Sequence, residues 1–154
     1  MILLSCAMTS LVSAQSFDPP VAVDTNPAPN IIEVTLSARV DNWQYKSGVN
    51  TAVWGYSDDA PGGSGLSVPG PTIVGNVGDT VIVHLTNHLP QPTTLHWHGL
   101  EIPAAMDGSH IAQPHILPGQ TFDYQFQLLR EGLYWYHPHI ATYDQVERGL
   151  HGCI

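Results

Sequence analysis

The chain is expected to fold as an all-β sandwich, and three observations predict this. Its 13 prolines and 14 glycines divide 154 residues into short segments, the density of turn residues that many short strands require. Several segments alternate apolar and polar residues, the period of a strand with one buried face. No segment carries an apolar stripe at helical spacing over three turns, and no repeat of solenoid length is present. A hydrophobic content of 43% argues against a disordered linker, and the length is enough for one core.

Taken in order, residues 1–14 read as a signal segment. Met1-Ile2-Leu3-Leu4 opens an apolar stretch, and Val12-Ser13-Ala14 before Gln15 resembles a small-residue cleavage site. Residues 15–30, rich in Pro, Asn, Asp, Val and Ala without periodicity, read as an extended arm. One domain is expected over 31–154. Residues 31–40 alternate as a first strand, and 51–56 form a second candidate. Residues 58–70, a run of Gly, Pro, Ser and Asp, predict a loop. Thr72-Ile73-Val74 leads through a Gly78-Asp79 turn to a strand over 80–86. His96 and His98 lie on a strand after Pro90-Gln91-Pro92. Phe122, Tyr124, Phe126 and Leu128 alternate with polar residues, and a last strand covers 134–139.

Charge narrows the partners. The formal net charge is -9, with Arg39, Lys46, Arg130 and Arg148 on the basic side. That balance argues against nucleic acid or an anionic membrane surface, and no apolar run approaches the ~20 residues that span a bilayer. Removal of the leader would take Cys6 and leave Cys153 without an internal disulfide partner. Cys153 then reads as a small buried hydrophobe in a final strand. A leader implies a secreted or periplasmic location.

The chemistry sits in two short motifs, His96-Trp97-His98-Gly99 and His137-Pro138-His139 inside Tyr134-Trp135-Tyr136-His137-Pro138-His139. In an extended strand residues i and i+2 share a face, about 6.5 Å apart at a rise of ~3.3 Å per residue. Each motif therefore presents two imidazoles side by side, and pairing the strands would converge four neutral nitrogen donors. Imidazole suits copper, zinc, iron and nickel, with copper at the head of the divalent affinity order. A lone His-x-His on a strand is more often structural, but two with these flanks favour a metal. His84, His88, His110, His115 and His151 read as non-ligands, and Trp97, Trp135, Tyr134 and Tyr136 as packing around the site.

A wider set of landmarks resembles the first cupredoxin domain of a multicopper oxidase. It begins with Pro69-Gly70-Pro71-Thr72-Ile73, then Gly78-Asp79-x-Val81-x-Val83, Asn87 and His96-Trp97-His98-Gly99. It continues with Met106-Asp107-Gly108, Gln113, Pro118-Gly119, the Tyr134–His139 run and Gly149-Leu150-x-Gly152. The region of Trp54 and Tyr56 is similar, more loosely, to the upstream strand of bacterial members. The resemblance implies a cupredoxin-like Greek-key β-sandwich or barrel, copper as cofactor and dioxygen as electron acceptor. It implies that His96 matches a ligand of the single type 2 copper, and that His98, His137 and His139 match ligands of the type 3 pair. Asp107 matches an acidic residue that relays protons near the type 2 copper, a role a carboxylate can fill; its other reading is a turn residue before Gly108.

The resemblance also implies what the chain lacks. The family's type 1 copper, held within a His-Cys-His segment of the last domain, has no counterpart, nor do the partner His-x-His pairs. Half of a trinuclear site is therefore expected, in a domain truncated at its C-terminal end. The partner would be a C-terminal cupredoxin domain or another subunit, docking on the face that carries the four histidines. Three readings follow: part of a laccase-like oxidase, a non-catalytic secreted copper-binding or storage module, or a cupin. Against the cupin, Glu101 follows His98 too closely, and no Pro-x-Gly with a later His-Asn pattern follows the first His-x-His.

Overall fold

Alternation in the central strand sets the architecture. In β4 (Thr80–Asn87), Val81, Val83 and Leu85 are fully buried while Ile82, His84 and Thr86 are half-buried on the other face. The computed structural model describes residues 18–154, so the expected signal segment and Cys6 lie outside the described residues. β4 sits between β1 (Ile31–Lys46), to which it runs parallel, and β6 (Thr121–Gln127), to which it is antiparallel. β2 (Val49–Asp58) and β3 (Gly65–Ser67) extend this sheet to five strands in the order β3-β2-β1-β4-β6. A second sheet holds β5 (His96–His98), β7 (Trp135–His137) and β8 (Gly152–Cys153) in the order β5-β7-β8. One short helix, α1 (Thr142–Gln145), follows β7.

The core lies between the sheets. Val34, Leu36 and Ala38 of β1, the apolar row of β4, and Tyr124 and Phe126 of β6 form one wall. From the small sheet, the fully buried Trp97 and Tyr136 close the other. The Trp97 ring lies 4.8 Å from Phe126, 5.7 Å from Tyr124 and 5.8 Å from Tyr136, centroid to centroid. Truncating a buried Trp of this kind costs ~3–5 kcal/mol, so Trp97 is what pins the three-residue strand β5 to the large sheet. The N-terminal arm is tied down as well: Val21 bridges Thr72, and Val23 N–H donates to Asp58 Oδ2 at 2.8 Å.

Three local expectations about strands are corrected. β1 continues past Val40 to Lys46 as an exposed ribbon with β2; with no buried face there, no apolar alternation marks it. Inside the expected loop, Gly65–Ser67 pairs with Tyr56–Asp58 as a short edge strand. The expected strand over 134–139 reduces to Trp135–His137, because Pro138 has no N–H to give a ladder. Residues 142–145 form one helical turn, too short for periodicity to register. Cys153 does lie in a final strand, β8, but half-buried. No helix of the described residues is long and apolar enough to cross a membrane.

Candidate metal centre

β5 and β7 pair antiparallel, with His96 opposite His137, Trp97 opposite Tyr136, and His98 opposite Trp135. Directly opposed residues share a face. Once Trp97 and Tyr136 point into the core, His96, His98, His137 and Trp135 must therefore line the outer face together. His139, just beyond the end of β7, joins them. Its N–H donates to Thr94 Oγ1 at 3.2 Å, and the loop is braced by Thr142 Oγ1, which donates to the Pro138 carbonyl at 3.0 Å. The fully buried Gln145 ties α1 back to the segment before β5: its Oε1 accepts from Thr93 Oγ1 at 2.8 Å and its Nε2 donates to the Pro92 carbonyl at 2.9 Å.

His96 is the hub. Its ring centroid lies 5.5 Å from His98, 5.2 Å from His137 and 5.0 Å from His139. One ring nitrogen from each of His96, His98 and His137 falls within 4.8 Å of the others, and among the described residues this is a ligand-type grouping of metal-site dimensions. His139 reaches the group through His96. His137 is buried, His96 half-buried, and His98 and His139 exposed, so the cluster opens at the surface.

Hydrogen bonds assign the ring protons. His96 Nδ1 lies 2.8 Å from the Asp107 carbonyl oxygen and 3.1 Å from Asp107 Oδ1. Both are acceptors, so Nδ1 carries the proton and Nε2 is left with its lone pair. His137 Nδ1 donates likewise to the Pro138 carbonyl at 2.8 Å, and its Nε2 faces His98 Nδ1 at 3.3 Å. Burial lowers the pKa of His137 below the ordinary imidazole value, and the neighbouring His96, His98 and His139 add to this. His137 thus favours the neutral imidazole, the form that binds metals. An all-imidazole donor set suits copper, zinc, nickel or iron. Trp135, 37% exposed, lies tilted against His137 at 4.0 Å and His98 at 5.1 Å between centroids.

The structure thus brings together all four sequence-selected histidines and sets Asp107 beside His96. The other histidines stay apart. His84 is held between Glu33 and Asp123 on the large sheet, His88, His110 and His115 are exposed, and His151 is half-buried with Nδ1 unpaired. Two side chains to which the sequence assigns no role hold the backbone next to site residues: Gln113 accepts from the Gly108 N–H, and Tyr124 accepts from the Leu95 N–H. Their contacts run through backbone groups, which no residue pattern reveals.

Comparison with known proteins places this arrangement. A family profile described as "Multicopper oxidase" matches residues 37–154. Laccase-1 of Cryptococcus neoformans var. neoformans is 35% identical over 90% of this chain and 25% of its own length. Multicopper oxidase MmcO of Mycobacterium tuberculosis is 42% identical over 56% of this chain and 17% of its own. Among solved structures, a multicopper oxidase from Campylobacter jejuni, described as a metallo-oxidase, superposes with a TM-score of 0.75 at 32% identity, covering 88% of this chain and 27% of that one. McoA multicopper oxidase from Aquifex aeolicus gives 0.73 at 27% identity, covering 93% and 30%. The chain spans at most 25% of the length of the curated relatives compared. With its profile match and its antiparallel pairing of His96–His98 with Trp135–His137, the chain belongs to the multicopper oxidase family and is a cupredoxin-like β-sandwich.

Proposed function

We propose that this chain is the copper-holding first cupredoxin domain of a multicopper oxidase, supplying half of the trinuclear site that reduces dioxygen to water. The observation that carries the reading is the convergence of His96, His98, His137 and His139 on one solvent-facing rim. Copper bound there would supply the redox chemistry. His96 would serve the type 2 copper, and His98, His137 and His139 the type 3 pair. Asp107, with Oδ1 3.1 Å from His96 Nδ1, would hold a proton beside the site and orient the ring. Trp135 would exclude water from one flank by covering His98 and His137. The remaining ligands and the electron entry port would come from a further cupredoxin domain or another subunit seated on this rim. A secreted or periplasmic location completes the reading.

The 4.8 Å grouping of His96, His98 and His137 within a single chain favours a second reading, a non-catalytic copper-binding or storage module. Copper analysis of the purified chain against a variant with all four histidines changed to Ala tests the shared premise. Equal copper in the two proteins would sink both readings. Retention of copper by the monomer alone would favour storage, and retention only on assembly would favour the shared site.

A further inference from the structure

Gln113 and Tyr124 meet where β6, the approach to β5 and the loop bearing Asp107 come together. Tyr124 is fully buried at the middle of β6, packed against Phe122 at 4.7 Å and Trp97 at 5.7 Å between centroids. Its hydroxyl oxygen accepts the Leu95 N–H at 2.8 Å and the Gln113 Nε2–H at 2.8 Å. Gln113, 3% exposed, accepts the Gly108 N–H on Oε1 at 3.0 Å. A backbone N–H can only donate, so the amide is oriented with its oxygen toward Gly108.

These two anchored backbone groups flank the contact that orients His96. Leu95 precedes His96, and Gly108 follows Asp107, whose carbonyl and carboxylate oxygens hold His96 Nδ1. The loop passes so close that a Cβ on Gly108 would stand 2.3 Å from the Leu95 oxygen and 2.8 Å from the His96 nitrogen. Core packing does not call for the hydroxyl. Phe122 and Phe126 flank position 124 on the same strand face, and a Phe there would fill the same space. A buried polar network is costly unless fully paired, and when paired it specifies one geometry.

We propose that Gln113 and Tyr124 are positioning residues of the metal centre: they set the Asp107 loop against the β5 approach and thereby hold His96 in one ring orientation and tautomer. The role in metal binding rests on the copper reading, whereas the placement of His96 does not. His137 provides an internal control, because its Nδ1 is held by the carbonyl of the next residue, Pro138, outside this network.

The test uses the full chain, metal-free, in alkaline buffer where imidazoles are neutral. Long-range proton–nitrogen NMR correlations report the tautomer of each ring in wild type, Tyr124→Phe and Gln113→Met. The expected result is a pair of widely separated His96 nitrogen shifts in wild type that draw together in both variants, while those of His137 stay put. Copper(II) affinity should fall about tenfold or more, as for other groups that orient metal ligands. Unchanged His96 shifts would overturn the proposal, and so would His96 and His137 changing together, which would signify general loosening. If Tyr124→Phe does not fold, Gln113→Met decides. Failure of wild type to take up copper would remove the copper reading, and the shift comparison would still decide the placement of His96.

Discussion

His98 and His137 point at each other across β5 and β7, with Nδ1 of one 3.3 Å from Nε2 of the other, although 39 residues of chain separate them. Their surroundings differ: His137 is buried and bonded to the Pro138 carbonyl, while His98 is exposed against Trp135. His137→Ala should therefore cost about 1–3 kcal/mol of copper-free stability, and His98→Ala about 0.5 or less. Urea unfolding of the two variants measures this, and equal losses would contradict the burial difference. Both should weaken copper uptake, and full uptake by His98→Ala would strike it from the ligand set.

Two glycines with similar backbone angles should respond differently to alanine. Gly108 has φ +74° and Gly119 φ +81°, yet a Cβ at 108 would collide with the Leu95 carbonyl, while at 119 nothing lies within 4 Å. Gly119→Ala should cost only the left-handed conformation, ~1–2 kcal/mol. Gly108→Ala should cost clearly more and move the Asp107 loop off His96. Comparable melting temperatures for the two variants would refute the close approach.

The Glu33–His84–Asp123 link should make stability depend on pH. Hydrogen bonds from His84 to Asp123 and then Glu33 raise the His84 pKa above its ordinary 6.5, and the bond to His84 lowers Glu33 below 4.5. A raised imidazole stabilises fully below its unfolded pKa and loses that contribution as pH rises through the folded value. A lowered carboxylate stabilises above its unfolded pKa and loses the contribution as pH falls through the folded value. The link is thus fully formed between these two ordinary values. The stability difference between wild type and His84→Gln should be larger at about pH 5.5 than at about pH 9, and should shrink in high salt. A difference that does not vary with pH would refute the link.

The 154-residue chain loaded with copper should lack the intense blue absorption of thiolate-bound copper and should not oxidise phenols under air. Such sites combine one Cys with two His. Cys153 is free and half-buried in β8, and the ligand grouping found among the described residues, His96, His98 and His137, does not include it. Blue colour with steady dioxygen uptake would overturn this.

Strands whose two faces differ were legible in the sequence. β4 and β6 read out directly, because Val81, Val83 and Leu85, and Tyr124 and Phe126, are buried while the residues between them are more exposed. The ribbon beyond Val40 and the edge strand Gly65–Ser67 were not, since neither buries a face that would impose a pattern. At the site, the i, i+2 spacing places His96 and His98 on one face of β5, whereas His139 lies beyond the end of β7 and is held by its N–H bond to Thr94. The opposition of His96 to His137 depends on long-range register, and that lies outside any local motif. Asp107 was picked out by resemblance. Its hold on His96 is made largely by its backbone oxygen, which side-chain identity does not encode.

The register of β5 on β7 also bears on how the protein matures. Strands joined across so long a stretch, like the parallel pair β1 and β4, raise the contact order, and such topologies fold in milliseconds to seconds. During that interval each His-x-His pair already exists as an isolated two-imidazole chelate, and metal bound there offsets part of the stabilisation that metal gives the folded site. Refolding in the presence of copper should accordingly be slower than refolding followed by copper addition. The order in which polypeptide and metal meet then sets how fast the native site forms.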